Sequence, residues 1–413
     1  MANTQAIDHL FNQAVHAQDI AGVVAMAATD QGVLYEGAFG TRELGKDVAM
    51  TPDTVVWIAS MTKAITAAAA MQLVERGALQ LDTPVAAVVP ALARVRVLTG
   101  FDASGTPQLR PPRRAMTLKH LLTHTAGFSQ EHFSAAIQQY QEATGTPAYT
   151  TFENAALTTP LLFDPGERWE YGINIDWVGK IVEAVSGQRL GDYLQQHLFA
   201  PLGMHSTSFQ LAPAQRARLA SMHARVSDEA GAAVPLELPQ ELSGEQLESR
   251  ALRAALAVVP FELPQEPQFQ SGGAGLYSTA PDYLRFTQML LQRGTFNGTQ
   301  VLQPATVHTM AQNHIGDLSC GELRSIVPAL ALTANFFPGM PQQWGLSFLI
   351  NTAQTLQGRA PGSLAWAGIA NTFFWIDPTR RVTGVFMTQL LPFFDPKAIA
   401  LFRAYEAAVY QAL

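Results

Sequence analysis

Ser60 and Lys63 stand three residues apart where an alanine-rich, helix-spaced run begins, in WIASMTKAITAAAAMQLVERGAL, residues 57–79. Side chains three apart share one face of a helix, so the lysine amine reaches the serine hydroxyl when the pair lies in the first turn. A serine hydroxyl alone is a weak nucleophile. A neighbouring amine that takes its proton, or a cation that activates another base, makes it a strong one. The helix start adds unpaired N–H groups and the positive end of the peptide dipoles, both suited to an oxyanion forming beside the serine. S-x-x-K is a short pattern, however, and by itself it equally fits a capped helix carrying a solvated lysine.

Two further stretches bear on the same chemistry. Tyr171 lies in PGERWEYGINID (165–176), where Pro and Gly predict irregular backbone, and LAWAGIANT (364–372) leads small residues into a strand. Rival chemistries find weaker patterns. No serine has glycine at both flanking positions of the nucleophile elbow that an α/β-hydrolase requires. His120 and His124 could share a helix face as zinc ligands, yet the intervening glutamate of a zinc protease is missing, and no metal is expected. GGAGLYS (272–278) lacks the Lys-Ser/Thr ending of a phosphate loop and reads as a tight turn at the rim of a site.

Taken together, SMTK at 60–63, Tyr171 and the W-x-G strand entry at 366–368 resemble the serine β-lactamase and penicillin-binding protein superfamily. Within it the chain is most similar to the family VIII carboxylesterases, which have a class C β-lactamase fold, and to the related fungal acyltransferase that attaches the lovastatin side chain. LLTHTAGF (121–128), LFAPLGMHSTSF (198–209) and GGAGLYSTAPDYLRF (272–286) also look like landmarks of that superfamily. The resemblance implies that Ser60 is the acyl-enzyme nucleophile, Lys63 its activating partner and Tyr171 the general base toward Ser60 or an incoming water. It further implies an oxyanion hole made by the backbone N–H groups of Ser60 and Ile369. Gly368 is then expected where substrate nears the backbone, and no metal or organic cofactor takes part.

Two departures from a β-lactamase point to a different substrate. Trp366 stands where those enzymes usually place the Lys or His that pairs with the drug's carboxylate, so neutral esters are favoured over β-lactam acids and D-Ala-D-Ala termini. Ile173 stands where a β-lactamase places the Asn that contacts a lactam amide, with Asn174 displaced by one. The sequence therefore predicts a serine carboxylesterase for short or medium acyl esters. Its alternatives are an acyltransferase using an alcohol or amine acceptor, and a β-lactamase or D-Ala-D-Ala peptidase-like hydrolase. Up to the acyl-enzyme the chemistry of these is the same.

The elements that must position these residues come from both ends of the chain. Residues 4–18 have the spacing of an amphipathic helix, and 22–29 and 33–40 read as a hairpin closed at Asp30-Gln31-Gly32. GIANTFFWI (368–376) and VTGVFMTQ (382–389) read as a second hairpin around Asp377-Pro378, followed by a helix capped by Asp395 with Pro396 in its first turn. The expected fold is α/β (α+β): an antiparallel sheet built from residues 1–82 and 300–413, flanked by helices. A mainly helical domain, 83–299, is inserted between them, and 210–270 reads as a lid or surface insertion.

Composition narrows the classes further. The chain of 413 residues is 48% hydrophobic and 14% charged, and its 26 basic and 33 acidic side chains give a net charge of −7. No clustered basic surface for nucleic acid is visible, and the expected partner is a small-molecule ester. Cys320 is the single cysteine, which excludes an internal disulfide and suits a small buried hydrophobe. No cationic-then-apolar leader opens the sequence, and no stretch reaches the roughly 18 apolar residues of a membrane span. We expect a cytoplasmic protein without a membrane partner.

Overall fold

The computed structural model describes residues 4–226 and 255–413. Five helices carry the architecture relevant to the site: α1 (Gln5–His16), α2 (Thr62–Glu75), α3 (Asn174–Ser186), α4 (Ala280–Leu291) and α5 (Pro396–Gln411). The main sheet joins the hairpin β1 (Gly22–Thr29) and β2 (Gly32–Gly40) to five strands from the C-terminal part of the chain. These are β3 (Gln342–Trp344), β4 (Leu349–Asn351), β5 (Leu364–Gly368), β6 (Thr372–Asp377) and β7 (Val382–Met387). The order is β3-β4-β5-β6-β7-β1-β2, antiparallel throughout. The expected mixed fold with an open antiparallel sheet is what forms.

Side-chain alternation along the strands assigns the helices to faces. On β6, Phe373 and Trp375 pack on Phe402 and Tyr405 of α5, whereas Phe374 points the other way and meets Tyr283 of α4. Phe11 of α1 joins the α5 side through Phe386 and Tyr405. With both faces covered, β5, β6 and β7 are buried at every position and lose the polar alternation of a half-exposed strand. α4 lies within 83–299 in sequence but packs on the sheet.

Asp395 caps α5 as expected, its carboxylate accepting from the Lys397 and Ala398 amides. One expected strand is broken. The stretch 368–376 is not continuous: β5 ends at Gly368, Asn371 turns the chain with φ 56°, and β6 begins at Thr372. Asparagine tolerates that left-handed conformation better than most residues, which the apolar run on either side concealed.

Of the stretch read as a lid, 227–254 lie outside the described residues. Its flanks, Met222–Val226 and Ala255–Val259, pair antiparallel, and Leu390–Leu391 adds to them in parallel. Cys320 is buried, and its thiol donates to the Gln343 carbonyl at 3.1 Å. No helix among the described residues is long and apolar enough to cross a membrane.

Candidate active site

Ser60 does not sit inside the α-helix; it occupies a 3-10 turn, Ala59–Met61, just before α2. Ala59 adopts φ 45°, a left-handed conformation that costs an alanine energy and must be held by its surroundings. The restraints are visible. The Ile58 amide donates to the Leu276 carbonyl at 3.0 Å, and the Tyr283 hydroxyl donates to the Met61 carbonyl at 2.9 Å. The Gln389 side chain brackets Trp57, accepting from its N–H and donating to its C=O, both at 3.0 Å.

α2 then carries Lys63 inward. Its alanines have high helix propensity, and their small side chains let neighbours close in, so every residue from Thr62 to Leu73 is buried. Lys63 is only 1% exposed, and its Nζ donates to Ser60 Oγ at 3.0 Å and to the Gly273 carbonyl at 2.7 Å. The same nitrogen lies 4.7 Å from the centroid of the Tyr171 ring, in cation–π range. Ser60 itself stays half-buried and open to a substrate.

Tyr171 stands in irregular backbone ahead of α3, and its ring is held by His124, Trp366 and Phe133 at centroid distances of 4.8, 5.1 and 5.8 Å. Its phenol oxygen accepts a hydrogen bond from Trp366 Nε1 at 3.2 Å. Trp366, read from the sequence as favouring neutral esters, lies beside Tyr171. The buried indole directs its N–H at Tyr171 and wedges between Trp344 and Phe336. Phe336, beside Trp366, and Phe133, beside Tyr171, are half-buried.

Gly368 and Ile369 sit where β5 meets the nucleophile turn. Gly368 has a packing reason to be glycine: a β-carbon there would collide with the Ile58 carbonyl and the Thr372 hydroxyl. Its lack of a side chain lets the strand close on the turn that carries Ser60. Ile369 follows immediately, half-buried at the strand's end.

Three other stretches singled out in the sequence have a definite place in the geometry. The helix carrying His120 ends at Leu122, so His124 is not on its face; His120 Nδ1 accepts from the Thr117 amide, while the His124 ring meets Asn174 Nδ2 at 2.9 Å. Among the described residues no group of three potential ligands could hold a metal. Asn174 is fully buried on that histidine and not presented as a lactam-binding amide would be. The GGAGLYS turn is likewise buried, lying behind Lys63 and not at a rim.

The charges around Lys63 were not legible in the sequence. Asp176, five residues past Tyr171 and wholly buried, accepts hydrogen bonds from Ser271 Oγ at 2.6 Å, Gly273 N at 3.0 Å and Tyr149 OH at 3.1 Å. Burial raises its pKa while the Lys63 charge pulls it back. Burial, reinforced by Lys63, holds His124 well below the usual histidine range, so its ring is neutral. Burial and the nearby Asp176 carboxylate push the Tyr149 phenol up.

An open antiparallel sheet with helices on both faces places the chain in the penicillin-binding-protein-like class of folds. The chain belongs to the β-lactamase family, whose Beta-lactamase domain matches residues 7–408. It is similar to monacolin J acid methylbutanoyltransferase of Aspergillus terreus, 31% identical over 97% of this chain and 94% of that protein. It is also similar to lovastatin esterase of Penicillium rubens, 31% identical over 92% of this chain and 91% of that one. The solved structure of simvastatin synthase (LovD) from Aspergillus terreus superimposes with a TM-score of 0.81 at 30% identity, covering 99% of this chain and 98% of that one. These relatives transfer or hydrolyse acyl groups, which supports an enzyme here.

Proposed function

We propose that this protein is a serine carboxylesterase that hydrolyses short or medium acyl esters through an acyl-enzyme on Ser60. The observation that carries the reading is the buried Lys63 amine 3.0 Å from Ser60 Oγ and 4.7 Å from the Tyr171 ring. Tyr171, acting as a phenolate beside that cation and hydrogen-bonded by Trp366, takes the Ser60 proton and becomes the neutral phenol as Oγ attacks the ester carbonyl carbon. The oxyanion is held by the backbone N–H groups of Ser60 and Ile369. Collapse of the tetrahedral intermediate expels the alcohol, which takes the proton from Tyr171. Water then repeats the sequence on the acyl-Ser60 carbonyl, releasing the acid and restoring the serine.

A second reading has its own support. Similarity to a methylbutanoyltransferase over nearly the whole chain favours an alcohol as acceptor in the second half-reaction. Both readings share the acyl-enzyme and differ in whether the pocket binds an acceptor better than it admits water. Trp366 in place of a cation argues against β-lactam acids. The test is hydrolysis of p-nitrophenyl esters from C2 to C12 with and without an added alcohol, for wild type and Ser60→Ala, with nitrocefin alongside. The expected result is ester cleavage lost by at least ~10³-fold in Ser60→Ala, with slow nitrocefin turnover. Nitrocefin turned over as fast as short esters overturns the substrate assignment, and ester product exceeding acid when alcohol is present moves the second reading to the front.

A further inference from the structure

We propose that Asp176 is a positioning residue that acts on Lys63 through Ser271 and the Gly273–Ala274 peptide, fixing the lysine against Ser60. The inference rests on Ser60 and Lys63 working as described above. The chain of contacts is continuous. Ser271 Oγ donates to Asp176 Oδ1 at 2.6 Å and accepts from the Ala274 amide at 2.9 Å. That amide belongs to the peptide whose carbonyl, on Gly273, accepts from Lys63 Nζ at 2.7 Å, and Lys63 Nζ donates onward to Ser60 Oγ at 3.0 Å. Carboxylate, hydroxyl, peptide and ammonium therefore line up in one direction, each hydrogen bond polarising the next.

Two features set this apart from ordinary satisfaction of a buried polar group. Lys63 is 1% exposed, and its two hydrogen-bond acceptors, Ser60 Oγ and the Gly273 carbonyl, are both neutral. A buried cation with neutral acceptors calls for an opposite charge nearby. The nearby carboxylate is Asp176, whose Oδ1 accepts from the amide of Gly273 at 3.0 Å, the residue whose carbonyl receives Lys63.

The second feature is its other oxygen. Among the described residues all three donors fall on Oδ1, from Ser271, Gly273 and Tyr149, whereas Oδ2 is buried without a partner. A β-carbon at Gly273 would collide with Oδ2, so the glycine lets the carboxylate lie directly under the turn that receives Lys63. Three donors converging on one oxygen hold the carboxylate against the peptide that receives Lys63, which points to a task beyond holding the turn.

The test compares Asp176→Asn, which keeps the shape and removes the charge, with Ser271→Ala, which cuts the chain and leaves the carboxylate. In each, kcat and KM for a p-nitrophenyl ester, the rate of inactivation by a fluorophosphonate and the thermal midpoint are measured. We expect kcat and the inactivation rate to fall together by roughly 10- to 100-fold in Asp176→Asn, the range a charged hydrogen bond supports, with KM within about twofold. Ser271→Ala falls in the same direction, and the double variant is no slower than Asp176→Asn alone, because both act through one chain. Wild-type kcat and inactivation rate in folded Ser271→Ala and Asp176→Asn overturn the proposal. So does a loss in Asp176→Asn that comes with raised KM and a collapsed midpoint while Ser271→Ala is unchanged, for that is a structural role. Should Ser60→Ala keep its esterase activity, the proposed function fails; should Ser60→Ala lose it and both relay variants keep it, the relay alone fails.

Discussion

Lowering the pH from 7 to 5 removes stability through His124, and the size of the loss follows from where the ring sits. His124 is fully buried, packed against Tyr171 and Trp344, with Nδ1 facing Asn174 Nδ2 and Nε2 without a partner among the described residues. Burial and the Lys63 charge hold its pKa well below 6.5. A depressed folded-state pKa means that the unfolded chain binds the extra proton first. Stability is therefore complete above the unfolded value near 6.5 and declines as the pH falls below it, until the folded pKa is reached. At pH 5 the cost is RT ln(1 + 10^1.5), about 2 kcal/mol, against about 0.2 kcal/mol at pH 7. With an unfolding entropy of about 2.1 cal/mol/K per residue over 413 residues, that is a shift of about 2 °C in the midpoint. His120, His132 and His223 are also shifted downward and add to the wild-type trend, so the comparison must be with a variant. Asparagine tolerates the φ of 56° at this position, and His124→Asn should show a pH 7-to-5 decrease in calorimetric midpoint smaller than wild type by about 2 °C. Equal decreases in the two proteins would refute the assignment of a neutral buried ring.

Three further outcomes follow from the geometry. Trp366→Phe keeps an aromatic ring but removes the N–H that meets Tyr171; kcat on a short ester should drop by about 10-fold, the worth of the one hydrogen bond that orients the general base, with little change in KM. Gly368→Ala forces β5 off the Ile58 carbonyl and the Ala59–Met61 turn; esterase activity should fall much further than the thermal midpoint, and an active variant contradicts the packing argument. Arg359 and Glu406 form a bidentate pair, both at least 96% buried at the side chain, that ties β6's flank to α5. Arg359→Met should cost about 3–5 kcal/mol in urea unfolding because it strands the glutamate, and Arg359→Met/Glu406→Leu should recover much of the loss.

How much of this was legible in the sequence depends on the range of the interaction. The pair Ser60 and Lys63 could be read because three-residue spacing on a helix is local, and the hairpin at 22–40 because its turn and strands are contiguous. Asp395 and Pro396 gave the start of α5 for the same reason. Tyr171 and Trp366 were found through a family resemblance, since nothing local says that residues 195 positions apart share a hydrogen bond. The packing of Gly368 on the Ile58 carbonyl was not legible, because a strand glycine signals close approach without saying of what. Asp176, Ser271 and Tyr149 were missed altogether: they meet only when α3 and the 271–274 turn close around Lys63, and each alone looks like ordinary polar sequence. The glycine-rich turn was noticed, but its burial depends on α2 being slim enough to let it in, a consequence of the alanines that only packing reveals.

The central claim is that Ser60 carries the acyl group. Intact-mass spectrometry of the enzyme quenched during turnover of a p-nitrophenyl butyrate tests it most directly. The account predicts a single butyryl adduct, mapped to the peptide containing Ser60, that is absent in Ser60→Ala and shortened in lifetime by added alcohol if transfer competes with hydrolysis. Turnover by Ser60→Ala at the wild-type rate, or an adduct mapped to any other residue, would contradict it.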